Sequence, residues 1–202
     1  MHVLRAAAVG AALLVSTASG AQGSGAVTPK HHVKAPKPAA TPATPAPAAV
    51  PATASPDVTV NEFMSYDPAA KTVALKLFAA HGSVNGGLNF NGGAAGSVTI
   101  TVPLGWSISW TFKNEDAIPH SAIVLANKMP FPAQPQDPAI PRAYTNDVTA
   151  GLATGKMDQT TFKAAPATQY LIVCGAPGHA PSGMWIHFDV SADAKVPTYT
   201  TK

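Results

Sequence analysis

Charge is scarce in this chain. Asp, Glu, Lys and Arg make up 11% of its 202 residues, against about 25% in ordinary globular proteins. The formal net charge of +3 is spread thinly and forms no basic stripe, which argues against nucleic acid as a partner. Cysteine occurs once, at Cys174, so no internal disulfide can form, and an unpaired cysteine in an exported chain calls for another explanation. Long apolar runs are also missing. The run Ala6 to Ala18 falls short of the ~20 residues that cross a bilayer. No segment carries a long helical period. Proline, by contrast, is in excess at 20 residues.

These residues divide the chain into three. Met1 to Arg5 is a short n-region with one positive charge, Ala6 to Ala18 an apolar h-region, and Ser19-Gly20-Ala21 a set of small residues. Residues 1–21 are therefore read as a signal peptide cleaved after Ala21, with an uncleaved anchor as the alternative. The remainder is expected outside the cytoplasm, in the periplasm or on the outer face of the cytoplasmic membrane. Residues 22–56 are rich in Ala, Pro, Thr and Ser and lack any strand or helix period, which predicts a disordered linker leaning to polyproline II. His31 and His32 read as solvated parts of it, and its use would be reach. The folded domain is expected over 57–202.

In that domain the texture becomes alternation. Trp106, Ile108, Trp110 and Phe112 share one parity, and Ser107, Ser109, Thr111 and Lys113 the other, the pattern of a strand with one buried face. Val98, Ile100 and Val102 repeat it, and Val73, Leu75 and Leu77 do so less cleanly. Gly, Pro and Asn separate the runs, as at Asn85-Gly86-Gly87 and Pro103-Leu104-Gly105. The fold class predicted is all-β, a Greek-key β-sandwich. Residues 128–163 read as a long irregular excursion over one side, with a short helical turn, and Met129 and Met157 as packing beneath it.

The chemistry concentrates between Val173 and Met184. Cys174, His179 and Met184 stand five residues apart in turn, with Gly175, Pro177, Gly178, Pro181 and Gly183 between them. Thiolate, imidazole and thioether on one constrained loop suit a soft or borderline metal. A second imidazole would complete the His₂Cys set with a long axial Met, a type 1 (blue) copper site. Parity turns His187 away from that site if Met184 faces it, and His81 sits in a loop remote from the cluster. His120 opens the apolar run Ala122 to Ala126 after Pro119, at a strand mouth where a loop can meet it. It is chosen as the fourth ligand once the other histidines are set aside.

Several stretches resemble the cupredoxins, and within them the sulfocyanin family: Gly87 to Gly92, Val102-Pro103-Leu104-Gly105-Trp106, Ile118-Pro119-His120, and Cys174 through Trp185. The resemblance covers most of 57–190. It implies a cupredoxin-like sandwich carrying one copper ion, held by His120, Cys174, His179 and Met184, and an electron carrier in a respiratory chain. Ser121 departs from the archaeal relatives, which tend to have Asn there, and is more like rusticyanin.

Three expectations about mechanism follow. The Ser121 hydroxyl and a backbone N–H of the Gly175-to-Gly178 turn should bond the Cys174 sulfur and tune its donation. Electrons should leave by the His179 ring edge, through an apolar patch of Ala176, Pro177, Ala180, Pro181 and Trp185 that docks respiratory redox proteins, a cytochrome or terminal oxidase, briefly. A chain with few carboxylates should also tolerate acid. Val173 and Gly175 flank Cys174, so the neighbouring histidine of a multicopper enzyme is missing, and one cysteine cannot bridge a binuclear centre. No enzymatic role and a monomer are expected. The rival reading is a copper-binding or delivery protein that does not carry electrons.

Overall fold

A period of two along a chain puts alternate side chains on opposite faces of a strand, and burial of one face against a second sheet then fixes the layers. The computed structural model describes residues 58–135 and 137–202; the expected signal peptide, linker and domain start at 57 lie outside the described residues. Among the described residues ten strands run β1 (Val58–Asn61), β2 (Met64–Asp67), β3 (Thr72–Ala79), β4 (Val98–Pro103), β5 (Ser107–Asn114), β6 (Ile123–Ala126), β7 (Met157–Lys163), β8 (Thr168–Val173), β9 (Trp185–Ser191) and β10 (Thr198–Thr201). They form two five-stranded sheets, ordered β1-β2-β3-β5-β7 and β10-β4-β9-β8-β6. β3 and β5 pair in parallel, as do β4 and β9. Parallel neighbours cannot be joined by a tight hairpin. The chain leaves one sheet to make β4 in the other, then returns as β5. This is the expected all-β cupredoxin-like Greek-key sandwich.

The inner faces are the ones the alternation marked. Ile108, Trp110 and Phe112 of β5, Leu75 and Leu77 of β3, and Ile186 and Phe188 of β9 are fully buried. Burying a side chain of this kind stabilises by roughly 1.5–3 kcal/mol relative to exposure. Phe162 of β7 joins the layers, its ring edge-on to Trp110 at 5.5 Å and at 6.2 Å from Phe188.

The excursion holds two corrections. Residues 157–163 are regular strand β7, paired antiparallel with β5 from Lys113↔Met157 to Ser107↔Lys163. As an edge strand with polar groups on both faces and Phe162 alone buried, it offers no apolar alternation to read. The expected short helical turn is there, closed by Gly151 N–H on the Asp147 carbonyl at 2.6 Å. Met129 and Met157 are more than half exposed, so neither packs beneath the loop. The coverage itself is as expected. Val124 N–H donates to Ala143 O at 2.9 Å, Ala139 N–H to Val124 O and Thr145 N–H to Ala122 O, both at 2.8 Å. The excursion thus closes the edge of β6, which would otherwise expose unpaired main chain.

The connection from β3 to β4 is built on two buried asparagines. β2 stops pairing with β3 at Met64↔Leu75, and Asn91 takes over beyond. Its Oδ1 accepts the Phe78 N–H at 2.7 Å and its Nδ2 donates to Lys76 O at 2.8 Å. Asn89 donates to Val84 O at 2.8 Å and accepts from Gly92 N–H at 2.9 Å. Asn89 thereby secures a 3₁₀ turn, Val84–Gly87. Asn85 in that turn donates to Ser182 O at 2.9 Å.

Candidate metal centre

Strand register places the loop residues. β8 and β9 pair to the register Val173↔Trp185, so the next residues, Cys174 and Met184, stand opposite each other, and Cys174 N–H donates to Met184 O at 3.0 Å. The loop between them folds on itself. His179 N–H donates to Ala176 O at 3.2 Å and Met184 N–H to His179 O at 3.0 Å. Met184 is fully buried, its main chain bonded to both of the other loop candidates. β6 pairs with β8 at Ile123↔Val173, which brings the mouth of β6 beside Cys174. His120 is held there by Leu152, with N–H to Leu152 O at 3.2 Å and Leu152 N–H to His120 O at 2.7 Å. Gly151 permits this approach, since a Cβ there would stand 2.9 Å from the His120 nitrogen.

Three donor atoms converge. His120 Nδ1 lies 3.8 Å from Cys174 Sγ, His179 Nδ1 lies 3.4 Å from it, and the two Nδ1 atoms are 3.2 Å apart. His120 and Cys174 are buried and His179 is half-buried. This is the one group of three or more His, Cys or acidic residues among the described residues able to hold a metal. Two imidazole nitrogens and a sulfur packed this closely fit a single ion of borderline softness, and copper suits that donor set. His81 and His187 are elsewhere. His81 pairs with Glu115 at 3.1 Å and packs on Phe63 and Phe78, a fuller role than the solvated loop histidine expected. His187 lies edge-on to Trp185 at 5.4 Å.

The surroundings of the sulfur differ from the expectation in one atom. The backbone N–H of Ser121 donates to Cys174 Sγ at 3.5 Å, while the Ser121 hydroxyl is 4.0 Å away. That hydroxyl instead donates to Val148 O at 2.6 Å and accepts the Gly175 N–H at 3.0 Å. Ser121 is thus a cross-link between the strand mouth, the excursion and the loop. From the loop turn, the Ala176 N–H favours the thiolate. Burial pushes the Cys174 thiol up, and the bonds from Ser121 and Ala176 oppose it only in part. Burial also lowers His179, with His120 adding to the effect, so both groups favour the metal-binding histidine and a thiol that must shed its proton on loading.

Sequence reasoning missed Asp116. Its Oδ2 stands 2.9 Å from His120 Nε2, the ring nitrogen turned away from Cys174. The hydrogen bond from His120 holds this carboxyl below its ordinary range, against the opposing effect of burial. An acidic residue four positions before a candidate histidine was the available signal. The apolar patch around His179 is also smaller than expected. Pro177 and Pro181 are exposed, but Ala176 and Ala180 are buried. Ala180 and half-buried Trp185 belong to a second apolar cluster with Ile123, Leu171, Val173 and Phe131.

Comparison with known proteins agrees with this centre. A family model described as the sulfocyanin (SoxE) domain matches residues 59–201. Sulfocyanin of Sulfolobus acidocaldarius is 30% identical over 139 residues, covering 65% of this chain and 70% of that one. Similar solved structures include a rusticyanin, 21% identical over 60% of this chain and 78% of the other with a TM-score of 0.45. Another is a reduced auracyanin from Roseiflexus castenholzii, 23% identical over 58% and 96% with a TM-score of 0.42. With the family match spanning most of the folded part, the chain belongs to the sulfocyanin family of cupredoxins, electron-transfer proteins whose cofactor is copper.

Proposed function

We propose that this chain is a mononuclear type 1 copper carrier shuttling single electrons between respiratory-chain proteins outside the cytoplasm. His120, Cys174, His179 and Met184 are its ligands, and it turns over no substrate of its own. The observation that carries the reading is the approach of His120 Nδ1, His179 Nδ1 and Cys174 Sγ to within 3.2 to 3.8 Å of one another. When bound, copper supplies a one-electron couple between Cu(I) and Cu(II) that this donor set serves in both states. The protein's part is to keep the donors still. Cys174 and Met184 are fixed across a strand pair, His120 by its two bonds to Leu152, and the sulfur by the N–H of Ser121. Burial of His120 and Cys174 keeps water from the thiolate.

Half-buried His179 is the candidate nearest solvent and the electron exit. Exposed Pro177, Gly178 and Pro181 rim it, a small surface suited to weak, brief docking of a cytochrome or terminal oxidase. The stretch 1–21, read as a signal peptide, supports a place in the periplasm or on the outer face of the membrane. The test is voltammetry of the copper-loaded protein with stopped-flow oxidation by a cytochrome. A reversible one-electron couple and fast exchange support the carrier. A Cu(I) protein that passes its metal to an acceptor chelator and shows no reversible couple would favour copper delivery.

A further inference from the structure

Four residues before His120 the chain makes a tight polar turn whose geometry is fixed at every bond. Asn114, fully buried, donates from its amide to Ile118 O at 2.8 Å and to Leu152 O at 2.9 Å. Its Oδ1 accepts the Asp116 N–H at 2.8 Å. The Asp116 carboxylate is held in turn, Oδ1 by the Ala117 N–H at 2.6 Å and Oδ2 by His120 Nε2 at 2.9 Å. Gly87 lies over it. A Cβ at Gly87 would meet Asp116 Oδ2 at 3.1 Å, and its φ of +91° is one that side chains rarely adopt. The 3₁₀ turn secured by Asn89 therefore passes close above the carboxylate, where a Cβ would crowd Oδ2.

An imidazole has two nitrogens, and only one can face the donors at Cys174 and His179. His120 presents Nδ1 to them, so the proton must sit on Nε2, where a carboxylate accepts it. We infer that Asp116 is a positioning residue of the copper centre, fixing the tautomer and ring plane of His120 and placing a negative charge behind it that favours Cu(II). The pattern is the carboxylate–histidine–metal relay, in which the outer acceptor raises the basicity of the ligand. Its charge acts against the buried surroundings of Cys174, which favour the less charged Cu(I) state, so the potential is set by a balance that Asp116 holds down.

The inference rests on the ligand assignment proposed above, and the experiment separates the two. D116N keeps an oxygen for the Nε2 proton but removes the charge; D116A removes both. E115Q removes a charge one residue away from a carboxylate that bonds Lys113 and His81 and touches no ligand. The expected result is a D116N protein with the parent's visible spectrum whose preference for Cu(I) over Cu(II) rises about tenfold, a 59 mV increase for one electron. D116A should shift the potential the same way, alter the thiolate band and bind copper more loosely, while E115Q should move the potential far less. An unchanged or lower midpoint in D116N, or an equal shift in E115Q, overturns the inference. Proton NMR of the Cu(I) parent needs no variant: a slowly exchanging, downfield His120 Nε2–H supports it, and Nε2 without a proton overturns it. A parent without an intense visible band would defeat the ligand assignment instead.

Discussion

At the scale of single residues, the buried end of the sandwich is more sensitive than its composition suggests. Ser121 has no charge and is not a candidate ligand, yet its hydroxyl serves Val148 O and Gly175 N–H together. Ser121→Ala leaves both without that partner, and an unsatisfied buried polar group costs about 1–3 kcal/mol. A fall of that size in unfolding free energy by denaturant titration is expected, larger than any effect of losing a hydroxyl 4.0 Å from the sulfur. Asp189 is the opposite case. Its Oδ1 is buried with no hydrogen-bond partner, and burial raises its pKa above 3.8, with His187 and Gln169 only partly opposing. A carboxyl whose folded pKa is raised contributes stability below its unfolded value and loses it as pH rises. Asp189→Asn should therefore raise the melting temperature near neutral pH, with the gain shrinking toward pH 3. An equal gain at both would contradict the assignment. Cys174, His179 and Met184 were legible because the spacing of one loop holds them. His120 needed elimination, Asp116 was marked only by its place four residues before His120, and Val148 was invisible because its partner is chosen by the fold.

At the scale of elements, strands with one wet face declared themselves and those without such contrast did not. β5 and β9 alternate cleanly, whereas β7 has polar groups on its inner side at Asp158 and Thr160 and becomes a strand because β5 offers it an edge. The stretch Gly87 to Gly92 could be recognised by resemblance, but its work could not be read. Asn91 substitutes for a missing strand beside β3, and Asn89 shapes the turn that reaches the metal loop. Asn91→Ala removes the partners of Phe78 N–H and Lys76 O at once and places alanine at a φ of +54°. A loss of about 1 kcal/mol or more is expected from two part-buried groups left unmet, measured by denaturant unfolding. A change below the scatter of the measurement would show that water replaces the amide.

At the scale of the molecule, charge is placed away from the loop that carries Cys174, His179 and Met184. Across residues 58–202 lysines and arginines equal aspartates and glutamates in number, and none of the four lies between Ala164 and Phe188. The face that carries Cys174, His179 and Met184 thus has little field with which to steer a partner. Electron exchange with a small cytochrome is expected to change by less than about threefold as ionic strength rises past the point where the Debye length reaches ~8 Å. A steep fall would place charged groups at the contact. Acid acts through few groups. The carboxyl of Glu115 lies below its ordinary range because bonds from His81 and Lys113 outweigh its burial, and Asp116 is also lowered. Their contributions fade as pH drops below about 4, by the sign for depressed acids. The central claim is that one thiolate and two imidazoles share a copper ion, and the absorption spectrum of copper-loaded protein, taken with that of Cys174→Ser, tests it most directly. The account predicts an intense visible thiolate-to-copper band in the parent that is absent from the variant; a colourless Cu(II) parent, or a band that survives the loss of the sulfur, would contradict it.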